Sequence, residues 1–210
     1  MSELPTAVPD SPVEPAAFRA ALGRFATGVV VVAAIDGGAP HGLAVNSFTS
    51  VSLDPPLVGF CADRSSSTWP RIRAAGGFTV SVLSDGQERV CRTFARKGAD
   101  RFASLTWTAG ATGHPRLDGA LAWLDCTVER VHRAGDHDLV LGRVRALATG
   151  EGSPLLFFGG AFGHLRPVAP ASAGGPVADP ALEDFARLHG LDLASPFFDV
   201  LASHLGAPSR

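Results

Sequence analysis

Two runs of the chain, LAWLDCTVERVHRAG (121–135) and DLVLGRVRALATG (138–150), alternate apolar and polar residues and are joined by Gly135-Asp136-His137. Alternation at period two sends one face of a strand into a core and the other toward water. A short Gly-containing connection folds two such strands into a hairpin. A hairpin this long commits the chain to a large sheet, and the other segments agree. GVVVVAAI (28–35) is short and β-branched, as a buried strand is. Asp36-Gly37-Gly38 marks a turn, after which a single strand over 41–52 pairs back as a hairpin. LVGFCA (57–62) and FTVSVLS (78–84) are further strands, and PLLFFGG (154–160) with the segment through GHLRPV closes the series.

Helices are few. FRAALGRFA (18–26) places Phe18, Ala21, Leu22 and Phe25 at helical spacing and is broken by Thr27-Gly28. DRSSSTWPRIRAAG (63–76) is a loop running into a short helix, and GQERVCRTFARKG (86–98) is a helix ended by Gly98. Many strands with short connections and few helices predict a mainly β domain, a barrel or a sandwich. No strand–GxGxxG–helix unit is present, which argues against a Rossmann domain.

Of the 210 residues, 46% are hydrophobic, enough for one domain with a real core. The net charge of −2 predicts no general attraction to nucleic acid or to an anionic membrane. The longest apolar run is far too short to span a bilayer. The N-terminus, MSELPTAVPDSPVEP, has acids and prolines where a signal peptide needs a basic and then an apolar region. Cys61, Cys91 and Cys126 are odd in number, far apart and outside any C-x-x-C pair, so they are expected as free thiols in a reducing cytoplasm. The predicted organisation is an arm over 1–15, a β domain over 16–168, a Pro/Gly/Ala linker over 169–180 and two amphipathic helices over 181–210.

Five segments carry candidate chemistry. GLAVNSFTSVSLDPPLVGF (42–60) gathers Asn46, Ser47, Thr49, Ser50 and Ser52, then breaks at Asp54-Pro55-Pro56. Two readings fit: a solvated strand face, or a polar wall against a ligand. DRSSSTW offers hydroxyls ahead of a helix, as a cap or as a phosphate cradle. FARKGADRF (94–102) puts Arg96, Lys97 and Arg101 at a helix end, favoured there by the dipole or acting as a clamp for the same phosphate. His137 sits in a turn at the mouth of neighbouring strands. FFGGAFGHL (157–165) carries paired glycines, which permit close approach of a ligand or of another backbone. No G-x-S-x-G elbow, Walker A motif or metal-ligand spacing occurs.

Taken in order, FATGVVVV, GLAVNSFTSVSLDPPLVGF, SSSTW, FARKGADRF, GHPRLDGALAWLDC, GDHDLVLGRV and PLLFFGGAFG resemble the short-chain flavin reductases of two-component monooxygenases, across roughly residues 15–166. The resemblance implies an FMN-binding split β-barrel acting as a homodimer; the tail after Pro170, read as a C-terminal helical extension, has no counterpart in the family's short members. It implies reduction of free FMN or FAD by NADH or NADPH and supply of reduced flavin to a separate flavin-dependent oxygenase. Flavin contacts would fall on Thr27, Ala44, Asn46, Ser47, Ser50, Val51, Ser52, Cys61 and Ala62. The phosphate end would fall on Ser65, Ser67 and Thr68, with Phe94, Ala95, Arg96 and Lys97 nearby, and His137 would stand close to nicotinamide and flavin. Phe158 and Phe162 stand where tyrosine is common in the family, and the chain has no tyrosine. Two other readings fit the same residues: a flavoenzyme that keeps FMN bound and acts on an organic substrate, and a flavin-binding protein without turnover.

Overall fold

The computed structural model describes residues 12–96 and 100–166. The chain divides into two units, Met1–Leu165 and Arg166–Arg210. The expected linker over 169–180, the two helices over 181–210 and most of the N-terminal arm lie outside the described residues.

The elements in chain order are α1 (Pro15–Leu22), β1 (Thr27–Gly28), β2 (Val30–Asp36), β3 (Ala39–Val45), β4 (Thr49–Ser52), β5 (Leu57–Asp63), α2 (Trp69–Ala74) and β6 (Gly77–Val82). There follow α3 (Glu88–Ala95), β7 (Trp107–Ala109), β8 (Pro115–Leu117), β9 (Ala122–Ala134), β10 (His137–Thr149), β11 (Leu155–Phe158) and β12 (Ala161–His164). Seven strands form one sheet in the order β3-β2-β6-β9-β10-β5-β4, with every pair antiparallel. The long hairpin expected over 121–150 is its centre. Gly135, at φ 63, makes the turn.

The sheet curls on itself. Phe60 on β5 meets Phe78 on β6 edge to face at 5.4 Å between ring centroids. Those strands are three places apart, which in a flat sheet would separate them by about 14 Å. Curling encloses a core of Val30, Val32, Phe60, Ile72, Phe78, Val80 and Val140, closed at one end by Trp69 of α2. A second core lies on the other face of β2, where Val31 and Ala33 pack with Leu83, Phe94, Phe102 and Leu155. Alternate residues of β2 therefore enter different cores, which is why its apolar run is unbroken instead of alternating. At Gly142 a Cβ would lie 2.4 Å from Cζ of the fully buried Phe78, so only glycine lets β10 pass that ring.

Three expectations change. The single strand over 41–52 is two strands, β3 and β4, at opposite edges of the curled sheet, and residues 46–48 cross between them. The first helix starts earlier, at Pro15, because proline is well suited to the first turn, and it ends at Leu22. The helix expected to run to Gly98 is a 3-10 turn (Asp85–Gln87) followed by α3, which stops at Ala95 with Arg96 extended at ψ 142. The paired glycines Gly159 and Gly160, at φ 59 and 84, form the turn of the β11–β12 hairpin. The Gly159 N–H donates to Gly23 O at 2.8 Å, so the close approach there is by another backbone.

Candidate functional site

A sheet whose two edge strands come round to face each other leaves a seam, and the site lies along it. β4 covers β5 only as far as Gly59, opposite Thr49. Past that point Cys61 has no strand on its outer side. Ser47 takes the strand's place: its Oγ accepts from Cys61 N–H at 2.9 Å and lies 3.3 Å from Cys61 O, to which it can donate. The segment 43–47 and the uncovered end of β5 then wall a trough of about 680 Å³, a size suited to an organic ligand.

Ala44, Asn46, Ser47, Cys61, Ser65, Ser67, Phe94, Ala95 and His137 line this trough, and all of them were expected at the site. Asp63, Ser66 and Arg101 join them. The amide of Asn46 and the hydroxyls of Ser65 and Ser67 make no hydrogen bond among the described residues, so they are available as donors. Ser66 instead ties the loop to the start of α2, its Oγ accepting from the N–H groups of Thr68 and Trp69 at 3.2 and 3.3 Å. The N-cap residue itself, Thr68, makes no side-chain cap bond.

Thr68 is buried and engaged. Its Oγ1 accepts from Arg101 Nη1 at 2.8 Å. The same Nη1 donates to Gly42 O at 2.7 Å, while Nε and Nη2 both donate to Arg96 O at 3.1 and 2.9 Å. Four of the five guanidinium N–H groups thus bind neutral oxygens. Among the described residues no carboxylate pairs with Arg101, so its full positive charge stands at the wall of the trough. The sequence offered Arg101, with Arg96 and Lys97, as a helix-end cation or as part of a phosphate clamp. Its clamp depends on carbonyls from β3 and the end of α3, which sequence spacing does not reveal.

His137 opens β10 opposite Asp63 of β5. Its Nδ1 lies 2.7 Å from Asp136 Oδ1, which leaves Nε2 for the trough. That contact with His137 holds the exposed Asp136 carboxyl below its usual range. The loop beside His137 is anchored by the buried Asp138, which accepts from Trp69 Nε1 at 2.9 Å and sits 3.7 Å from Arg64 Nε.

The remaining expected residues lie elsewhere. Ala62 is buried in the enclosed core, because period two turns it away from the trough when Cys61 and Asp63 face it. Ser50, Val51 and Ser52 are on the edge strand β4 and do not line the trough. Thr27 is in a separate three-stranded sheet with β11 and β12, its Oγ1 buried without a partner among the described residues. Arg96 is exposed and contributes its carbonyl, and Lys97 is outside the described residues. Phe162, which packs on Phe157 at 5.5 Å and lies under Arg92, faces an apolar recess of about 280 Å³ that shares Ala44 and Asn46 with the trough.

The family described as "Flavin reductase like domain" matches residues 22–166. A "Flavin reductase" of Pseudomonas putida is 47% identical over 170 residues, covering 80% of this chain and 100% of that protein. The "Flavin-dependent monooxygenase, reductase subunit HsaB" of Rhodococcus jostii is 42% identical over 162 residues, covering 77% of this chain and 83% of that one. Among solved structures, the NADH:FAD oxidoreductase SgcE6 of Streptomyces globisporus superposes with a TM-score of 0.71 at 39% identity, covering 77% of this chain and 100% of that chain.

Proposed function

The chain belongs to the flavin reductase-like family, and from that premise we propose that it is an NAD(P)H:flavin oxidoreductase that reduces FMN or FAD and supplies the reduced flavin to a separate monooxygenase. The observation that carries this reading is the trough at the barrel seam, with neutral donors along one wall and, at its side, Arg101, which pairs with no carboxylate among the described residues. These residues fit a flavin nucleotide. Asn46, Ser65 and Ser67 are free hydrogen-bonding groups for its polar edge and ribityl chain, and Arg101 is the cation for its phosphate.

Bound together, the dihydronicotinamide gives up a hydride and the flavin accepts it, which is the cofactors' own chemistry. The chain's task is to hold and orient the reactants. Ser47 fixes the rim, small residues such as Ala44 leave room for a flat ring, and His137 presents Nε2 where the second ring is placed. The unengaged hydroxyls of Ser65 and Ser67 and the Asn46 amide would stabilise negative charge as it develops on a bound flavin. No strong acid or base is required for the hydride step itself.

The reading extends to assembly and location. Phe18, Leu22 and Phe25 of the α1 segment and Phe158 of the adjoining β11–β12 hairpin are large apolar side chains left exposed. We propose that a second copy of the chain covers them in a homodimer. No helix among the described residues is long and apolar enough to cross a membrane, and we place the protein in the cytoplasm, where its reductant is found. The test of the activity is anaerobic mixing of the protein with flavin and NADH or NADPH. Loss of the oxidised flavin's visible absorbance is expected. If neither nucleotide bleaches either flavin, the reductase reading fails.

A further inference from the structure

Asp138 follows His137 on β10 and stands opposite Ala62 of β5. Period two therefore turns it away from the trough, toward the end of the enclosed core that Trp69 closes. It is only 8% exposed. An apolar residue would suit that place, and a buried carboxylate is kept only where partners converge on it. Three groups do so. Trp69 Nε1 donates to Oδ2 at 2.9 Å. Arg64 Nε lies 3.7 Å from Oδ1, and Arg73 Nη1 lies 4.0 Å from Oδ2.

These partners join segments that are separate in the fold. Arg64 also donates its backbone N–H to Asp136 O at 3.1 Å and its Nη1 to Gly135 O at 3.3 Å, so the loop after β5 is fastened across the β9–β10 turn. Trp69 opens α2. Ser65 and Ser67, whose hydroxyls line the trough, lie between Arg64 and Trp69, and His137 lies between Asp136 and Asp138. Asp138 is therefore a tie from the turn that carries His137 to α2 and the serine loop before it. Asp136 has a different part. It orients the imidazole through Nδ1, but its side chain is 93% exposed and does not anchor the strand end.

We propose that Asp138 is the positioning residue for His137: through Trp69 and Arg64 it fixes the start of β10, and with it the place of Nε2 at the trough. This rests on the reading of the trough as the site of flavin reduction. The tie has a reason to be tight. A misplacement of about 1 Å at a reacting geometry can cost about a hundredfold in rate.

The experiment uses the full chain. Asp138→Leu removes the acceptor and the charge at similar size. With FMN as acceptor it should raise KM for NADH or NADPH by about tenfold, while the FMN dissociation constant, read by flavin fluorescence, stays within about threefold of the wild type. Asp138→Asn keeps an oxygen for Trp69 Nε1 and should bring KM back to within about threefold. Because Asp138 acts through His137, the two losses should not add. In a His137→Ala background, Asp138→Leu should change KM by less than about twofold. Trp69→Phe removes the same bond from the other side and keeps a ring in the core, so it stands in if Asp138→Leu does not fold. The proposal is overturned if the variant that folds leaves KM within about threefold of the wild type, or if the full loss persists beside His137→Ala. It is also overturned if FMN binding weakens as much as KM rises, since the network would then support the whole trough. A wild-type chain that oxidises neither nucleotide would instead overturn the reductase reading.

Discussion

Replacing Arg116 with methionine is expected to cost about 3 kcal/mol of stability at neutral pH, and the cost should shrink on acidification. Arg116 is the charged partner of Asp125, a fully buried carboxylate on β9. Its Nη2 lies 2.5 Å from Oδ2 and its Nε 3.4 Å from Oδ1. Thr79 Oγ1 donates at 2.6 Å and the Ala111 N–H at 2.7 Å. Burial on its own pushes this carboxyl up, but the bonds from Arg116, Thr79 and Ala111 together outweigh it and hold the group below its ordinary value. Breaking a buried pair from one side costs about 3–5 kcal/mol, because a charge is left in a dry site. Arg116 is 23% exposed, which favours the lower end.

The sign with pH follows from linkage. In the wild type the folded-state pKa is depressed, so the stabilisation is present above the unfolded value of about 3.9 and is lost as pH falls through the folded value. Without Arg116 the upward pull of burial is opposed only by the bonds from Thr79 and Ala111, so the folded value rises above that of the wild type. The penalty is then relieved as the carboxyl protonates. Denaturant unfolding of both chains at about pH 7 and about pH 4.5 measures the two effects. A deficit below about 1 kcal/mol at neutral pH, or an equal deficit at both pH values, would refute the argument. The knot also has a structural use. It ties β8 to β9 of the sheet, and β8 pairs with β7, which carries Trp107.

Arg101→Met removes the charge at the wall of the trough and the bonds to Gly42, Thr68 and Arg96. Loss of a charge-assisted contact worth about 1.5–3 kcal/mol should weaken FMN and FAD by about tenfold or more in fluorescence titration. Gly142→Ala forces a Cβ onto the Phe78 ring and should destabilise the fold by about 1–3 kcal/mol in urea. His137→Ala should raise KM for the reduced nicotinamide nucleotide by about tenfold in steady-state assays, with a smaller change in the flavin dissociation constant.

The sequence made the central hairpin legible because alternation at period two survives along β9 and β10. It also showed β2 as a buried strand. What it concealed was that β2 separates two cores, since an unbroken run of valines looks the same whichever side each one faces. Asn46 and Ser47 were readable as candidate site residues. Their crossing from one edge of the sheet to the other was not, because nothing in the polar pattern of 41–52 says where a strand leaves its neighbour. Ala62 is a different case. With Cys61 in the trough, parity alone turns its neighbour into the core. Arg101 and Asp125 owe their surroundings to residues distant in sequence, such as Gly42 and Thr79, which only the closed fold brings to them.

The seam has one more consequence. From Leu57 to Gly59 of β5 the neighbouring β4 is held by a ladder, which separates only by losing several backbone bonds together. At Cys61 the connection is a single rotatable hydroxyl. One χ1 rotation of Ser47 unfastens it, and water can then take over both partners at small net cost. The mouth of the barrel is thus closed by a latch and the remainder by a zip. The rim at Cys61 is held by one side chain, while the β5–β10 pairing behind it runs the length of β5.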